Sequence, residues 1–401
     1  MSAADTLPLA ARMQHVGVSP VMKAAMAAEK LRRTGVHVVD LGPGEPDFPT
    51  PAHVTAAAHA ALDGNFTKYT ANIGIADLRD AVAARYNQDY GVNYTSDEVI
   101  ISAGGKQALY NSALALFGPG DEVITHVPGW PTLVEQIKLA GATPVIVRTK
   151  EDDGFALTAE ALLAAVTPRT RGIVVNSPGN PTGALMAERE AGALAAGLAG
   201  RDIWVVMDLC YEQLIYDRAP HNLPKIFGDV MRDRLVLNGS ASKSYAMTGW
   251  RCGWTVAPKA VIAAANALQS HETSNVNSIA QKAALVALTG SQQCVADMLA
   301  EYKRRRDQVL TWLAEEPRLR CVTPRGAFYL FPSVAAFLSP NGLRTSIEFA
   351  DTLLAEEHVV VTAGEAFDAP GYVRLSYATS LETLREGVTR LIRFARTHGG
   401  H

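Results

Sequence analysis

Cysteine is scarce: Cys210, Cys252, Cys294 and Cys321 are the four in 401 residues, widely spaced and with no CxxC pair. That argues against a disulfide framework or a cysteine zinc site and fits free thiols in a reducing compartment. The ten histidines show no HExxH and no paired metal spacing, so no metal is expected. No apolar stretch approaches the length of a membrane span. An excess of charge is missing too: 37 Lys and Arg against 40 Asp and Glu give a net −3, with no basic footprint for nucleic acid. The cluster Lys303-Arg304-Arg305-Arg306 reads as the solvated face of a helix. Neither a Walker A loop nor a GxGxxG occurs, which disfavours nucleotide binding. Met1–Ala11 lacks the charged-then-apolar layout of a signal peptide. The expectation is a cytoplasmic chain with small-molecule partners, no nucleic acid and no membrane.

What is present suits a globular enzyme. The chain is 48% hydrophobic and 19% charged, with 32 Gly and 21 Pro, enough for a large core and about two domains. Helical spacing covers 20–34 and ends at Gly35; Val36–Leu41 reads as a short strand, and helices follow at 52–63 and 75–90. Apolar strands are then expected at Glu98–Ser102, Glu122–His126, Pro144–Arg148, Gly172–Asn176, Ile203–Asp208, Arg234–Asn238 and Gly253–Ala257, separated by helices such as 106–117, 132–140, 159–166 and 187–199. This alternation predicts an α/β fold whose mostly parallel sheet is covered on both faces. After about residue 258 come a long helical region to 315, strands at 319–323, 327–331, 357–361 and 372–377, and helices at 345–356 and 381–396. That is the pattern of a smaller α+β domain.

Ligands of open α/β sheets bind beyond the carboxyl ends of the strands, so the residues there matter most. Lys243 follows a buried strand within Ser240-Ala241-Ser242-Lys243-Ser244-Tyr245, and Arg251 lies eight positions on. Alone, such a lysine is more often a solvated loop amine; placed at a strand end it suits a Schiff base with a carbonyl. Ala103-Gly104-Gly105-Lys106 opens a helix and can cradle a phosphate. Trp130 sits in a Pro/Gly turn where its ring can stack on a planar ligand, and Asn180 is held in Ser177-Pro178-Gly179-Asn180-Pro181-Thr182-Gly183. Asp208 ends an apolar strand, where a carboxylate needs a partner, and Tyr211 is three residues on. A lysine for an imine, an acid for a pyridinium nitrogen, a stacking ring, a phosphate nest with Arg251, and an amide and a phenol for a ring hydroxyl together form the set that pyridoxal 5'-phosphate requires.

The chain thus resembles the class I/II pyridoxal-phosphate aminotransferases of fold type I, above all their bacterial aspartate aminotransferase branch. The likeness runs from about Val18 to Phe394 and is sharpest at Gly44-Glu45-Pro46-Asp47-Phe48, Lys68-Tyr69, Gly104–Leu109, Asn180-Pro181-Thr182-Gly183, Ser242-Lys243 through Gly249-Trp250-Arg251, and Val373-Arg374-Leu375-Ser376-Tyr377-Ala378. It implies an N-terminal arm with part of a small domain over 1–45, a large cofactor-binding domain over 46–290 and a small C-terminal domain over 291–401. It also implies that Lys243 carries the cofactor and shuttles the proton, that Asp208 pairs with the ring nitrogen and keeps a depressed pKa, and that Asn180 and Tyr211 bind the ring oxygen. Trp130 would stack on the ring; Gly104, Gly105, Lys106, Ser240, Ser242 and Arg251 would surround the phosphate. Tyr69 would reach the phosphate of a neighbouring subunit, which implies a homodimer with shared sites. Arg374, with the Gly44 backbone, would clamp the substrate α-carboxylate, and Lys106 would meet a distal carboxylate.

Two departures from the branch, Gly129 beside the tryptophan and Gly179 before Asn180, are expected to enlarge the pocket. Aspartate with 2-oxoglutarate, exchanged by a ping-pong route, is the leading pair; aromatic, prephenate or alanine transamination and a β-lyase reaction are the alternatives.

Overall fold

The computed structural model describes residues 20–217 and 221–398, with Ala10, Met13 and Gly17 besides. Most of the stretch ahead of Pro20, including nearly all of Met1–Ala11, lies outside the described residues. The strands in chain order are β1 (Val39–Asp40), β2 (Val99–Ser102), β3 (Glu122–Val127), β4 (Thr143–Arg148), β5 (Thr170–Asn176), β6 (Trp204–Asp208), β7 (Leu235–Ser240) and β8 (Gly253–Val256). After them come β9 (Tyr329–Leu330), β10 (Val359–Val360), β11 (Thr362–Ala363) and β12 (Val373–Ser376).

Seven strands form one sheet in the order β2-β8-β7-β6-β5-β3-β4. β8 runs antiparallel to both its neighbours and the other pairings are parallel, so the expected α/β architecture with a mostly parallel mixed sheet is present. Side chains alternate between the faces with the two-residue period of a strand. Val205 and Met207 pack in one core while Trp204 and Val206 pack in the other, and Leu235 and Leu237 against Val236 repeat the pattern. Each such side chain, taken wholly from water, stabilises the sheet by roughly 1.5–3 kcal/mol. Helices Ala76–Tyr90 and Glu188–Leu198 contribute to the first core; Gly105–Leu116, Pro131–Leu139 and Lys259–Glu272 contribute to the second.

A separate core surrounds the short sheet β11-β12-β9 and helices Gln293–Leu313, Ser346–Glu357 and Leu381–His398. β1 pairs in parallel with β10 there, which ties the segment before residue 45 to the C-terminal part of the chain.

Several boundaries differ from the sequence reading. The strand expected at 319–323 is absent: the Arg320 carbonyl accepts from Ser333 N–H, and no ladder forms around that bond. The strands expected at Val36–Leu41, 327–331 and 357–361 contract to two residues each. The helical region 258–315 divides into Lys259–Glu272, Ser278–Thr289 and Gln293–Leu313. Helix Leu223–Met231 has no counterpart among the expected elements. Proline is tolerated in a first turn, the Asn222 side chain caps the Lys225 N–H, and Leu223, Phe227 and Met231 are buried at helical spacing.

Candidate active site

In the parallel part of the sheet, the chain passes from β3 outward to β4 and then returns to the other side of β3 to form β5. This reversal leaves a crevice at the strand ends, the usual ligand position in such sheets. The turns after β2, β3, β5, β6 and β7, and the segment entering β8, converge on a cavity of about 430 Å³. Gly105, Lys106, Trp130, Asn180, Asp208, Tyr211, Ser240, Ser242, Lys243 and Arg251 line it, joined by Gly44 and Arg374. Gly104 stands just behind, against the Arg251 guanidinium. Tyr69 is 91% exposed and outside the cavity of its own chain. A wider cleft of about 1120 Å³ opens alongside and shares Lys106 and Arg251.

Lys243 sits on the single turn Ala241–Ser244, which Ser240 caps by accepting the Ser242 N–H at 3.0 Å. Its Nζ donates to the Gly44 carbonyl across the cavity. Ser240 and Ser242 hydroxyls bond each other at 2.8 Å, and Gly105 packs so closely on Ser240 that an added Cβ would lie 3.3 Å from the serine Cβ. Arg251 bonds the carbonyls of Thr248 and Ala103. Backbone N–H groups at a helix start, two hydroxyls and a guanidinium bonded only to carbonyls form a donor set for a phosphate.

Asp208 is 3% exposed, and its Oδ1 accepts the Cys210 N–H at 3.1 Å. The expected depressed pKa is not found in the chain by itself: burial pushes Asp208 up to about 6, against the smaller effects of the Cys210 bond and the Lys243 charge. A cation seated on this carboxylate would relieve that desolvation, so the residues fit a protonated pyridine ring. Tyr211 is held well above the ordinary phenol value, by burial first and then by Tyr329, so it stays a hydrogen-bond donor.

Sequence reasoning missed the supports behind these groups. Asn176, the last residue of β5, accepts the Asn180 N–H on Oδ1 at 2.9 Å and donates Nδ2 to the Asp208 carbonyl at 3.3 Å. His126, which burial lowers to about 4, is neutral and accepts the Asn176 N–H on Nε2 at 3.3 Å. Tyr329 joins Tyr211 by a 2.8 Å bond between the hydroxyls. The aromatic run at 327–331 was the available signal for Tyr329, whereas His126 read only as a strand residue.

Arg374, in β12, is 2% exposed; it donates Nη1 to Asn180 Oδ1 at 2.9 Å and Nη2 to the Gly42 carbonyl at 2.7 Å. Its Nε is buried without a partner, and burial lowers its pKa from the usual arginine value. Both costs fall when an anion arrives. Lys106 Nζ lies 5.1 Å from the centre of the Trp130 ring, its pKa lowered by burial and by Arg251 and Lys243.

The two glycines expected to enlarge the pocket stand in tight backbone surroundings, and Gly129 lines the wider cleft. A Cβ at Gly129 would collide with the His126 backbone carbonyl, and one at Gly179 would meet Thr182 Oγ1 at 3.3 Å. Both glycines answer close backbone packing. Gly183, at φ +65°, closes the Asn180 turn, and a side chain there would strike Pro324 and the Gly326 carbonyl. Gly183→Ala therefore lowers stability by about 2 kcal/mol or more, read as a shifted urea midpoint with unchanged slope.

The model of the family "Aminotransferase class I and II" matches residues 36–391. An aspartate aminotransferase of Geobacillus stearothermophilus is 40% identical over 97% of this chain and 99% of its own. An aspartate/prephenate aminotransferase of Cereibacter sphaeroides is 41% identical over 92% and 93% respectively. The solved structure of the Thermus thermophilus aspartate aminotransferase with maleate superposes with a TM-score of 0.91 at 38% identity, covering 97% of this chain and all of that one. With its strand-end cavity and this full-length likeness, the chain belongs to the class I and II aminotransferases.

Proposed function

We propose that this pyridoxal-phosphate-dependent aminotransferase moves the amino group of aspartate to 2-oxoglutarate in two half-reactions of a ping-pong cycle. The observation that carries the substrate is the pair of cations, Lys106 and Arg374, lining one cavity. A dicarboxylate offers one anion to each, and the Thermus aspartate aminotransferase was solved with maleate, a dicarboxylate. A second reading, prephenate as an amino acceptor, is favoured by the Cereibacter relative's name and by the wider cleft beside Lys106.

When bound, pyridoxal phosphate supplies an aldehyde that takes up and returns the amino group and a ring that withdraws electrons. Gly105, Ser240, Ser242, Arg251 and the Lys106 backbone, with Gly104 behind them, would hold its phosphate. Asp208 would keep the ring nitrogen protonated, Asn180 and Tyr211 would donate to the ring oxygen, and Trp130 would stack on the ring. Arg374 grips the α-carboxylate with its planar fork, a geometry lysine lacks. The Lys243 amine, anchored toward Gly44, lifts the proton from the substrate α-carbon and returns one on the far side of the exchange.

Supporting a homodimer with shared sites, Tyr69 is almost wholly exposed and outside the site of its own chain, free to meet a second copy. The four cysteines are free, which suits the cytoplasm; among the described residues no helix is long and apolar enough to cross a membrane. The division into 1–45, 46–290 and 291–401 belongs to the same proposal, supported by the separate cores and by the β1–β10 pairing.

Lys106→Ala tests the substrate. KM for aspartate rises by roughly 10-fold or more, the weight of a charge-assisted bond, while activity with alanine or phenylalanine changes little. Equal losses for all amino acids would remove Lys106 from the specificity argument.

A further inference from the structure

Tyr329 touches Tyr211, Arg374 and Gly44 yet has no role in the scheme above. It lies on β9, is 1% exposed, and its neighbour strand β12 carries Arg374. The Arg374 guanidinium sits 4.4 Å from the centre of the Tyr329 ring. The Tyr329 hydroxyl bonds Tyr211, which comes from the turn after β6 in the large sheet. Gly44 packs on the same hydroxyl so tightly that an added Cβ would lie 2.6 Å from it.

A buried phenol needs a hydrogen-bond partner, and a backbone carbonyl is the common solution. Tyr216, on the same core, takes that solution by donating to the Ala327 carbonyl. Tyr329 instead spends its hydroxyl on a residue of the cavity. We infer that Tyr329 is a positioning residue that couples the two halves of the site: its hydroxyl polarises Tyr211, and its ring seats Arg374 for the substrate carboxylate. This rests on the aminotransferase reading given above.

The coupling has a direction. When Tyr211 donates to an oxygen in the cavity, its own oxygen is free to accept from Tyr329, and a donor that also accepts is the stronger donor. Without that support, more negative charge stays on the cofactor's ring oxygen and holds the neighbouring titrating proton more tightly. The ring of Tyr329 acts separately, through the face it offers to the guanidinium.

Two variants of the full chain loaded with pyridoxal phosphate separate these roles. Tyr329→Phe keeps the ring and removes only the hydroxyl, so it folds. The pH midpoint of its visible absorbance moves up by roughly 0.5 unit or more, the effect of one lost polarising bond. Its KM for aspartate stays within about twofold of wild type, because the ring under Arg374 remains. Tyr329→Leu shifts the same midpoint and also raises KM by roughly fivefold or more. An unchanged midpoint in Tyr329→Phe overturns the coupling, as does a wild-type KM in a folded Tyr329→Leu. If the leucine variant does not fold, the phenylalanine variant decides by itself. A wild-type chain that takes up no cofactor and shows no visible band refutes the functional reading itself, a result distinct from a normal band that ignores Tyr329.

Discussion

The Lys243→Ala protein turns over about 10⁴-fold more slowly than wild type, the upper range for one positioned acid–base group. Lys243 is the amine held inside the cavity by the capped turn Ala241–Ser244 and by the Gly44 carbonyl. Lys106 cannot replace it, because it belongs to the helix after β2 and lies over Trp130. The carboxylate clamp at Arg374 is untouched by the substitution, so the loss falls on kcat and leaves KM nearly unchanged. The circular dichroism spectrum and urea midpoint stay close to wild type, since the removed side chain is only partly buried. Stopped-flow single turnovers check this result, and a rate within tenfold of wild type would take the proton shuttle away from Lys243.

Asp208→Asn lowers kcat by about 10³-fold and changes how stability depends on pH. Burial raises the Asp208 pKa in the cofactor-free chain to about 6, above the value of an unfolded aspartate. A raised carboxylate contributes stability that is complete below the unfolded pKa and is lost as pH rises through the folded one. Between about pH 4 and 6 the cofactor-free wild type thus loses up to about 3 kcal/mol on account of this group, and the asparagine variant does not. His126, His221 and Glu212, moved by burial to about 4, 4 and 7, titrate through overlapping ranges. The result is therefore the difference between the two proteins in urea melts across pH. Near neutral pH the cofactor-free variant is the more stable of the two, yet it gains less from pyridoxal phosphate, whose ring nitrogen it cannot keep protonated. A cofactor stabilisation equal to wild type would separate Asp208 from the ring nitrogen.

The strand-end turns were legible because each carries its own local signal. Lys243 among serines, the Gly104-Gly105 helix start, the Pro/Gly turn around Asn180 and Asp208 closing an apolar strand all announce chemistry within a few residues, and all reach one cavity. Arg374 was legible only through its resemblance segment. The supports were not, because they act across the fold. His126 looks like any inward strand residue until the Asn176 N–H is seen to face it. Tyr329 belongs to a two-residue strand more than a hundred positions from Tyr211. Gly129 and Gly179 show the same limit: a missing side chain suggests space, whereas a Cβ there would meet the His126 carbonyl or the Thr182 hydroxyl, contacts that no local pattern reveals. The depressed pKa expected of Asp208 belongs to the carboxylate beside a pyridinium cation; the chain alone supplies burial and one N–H, which set it at about 6.

The central claim is that Lys106 and Arg374 make this aminotransferase select dicarboxylic amino acids. The most direct test mixes the purified, cofactor-loaded protein with single amino acids, without any 2-oxo acid, and follows loss of the visible absorbance. Aspartate and glutamate convert the band at concentrations where alanine, phenylalanine and tyrosine leave it unchanged. Conversion by the aromatic amino acids or alanine, with aspartate and glutamate inert, would contradict the account.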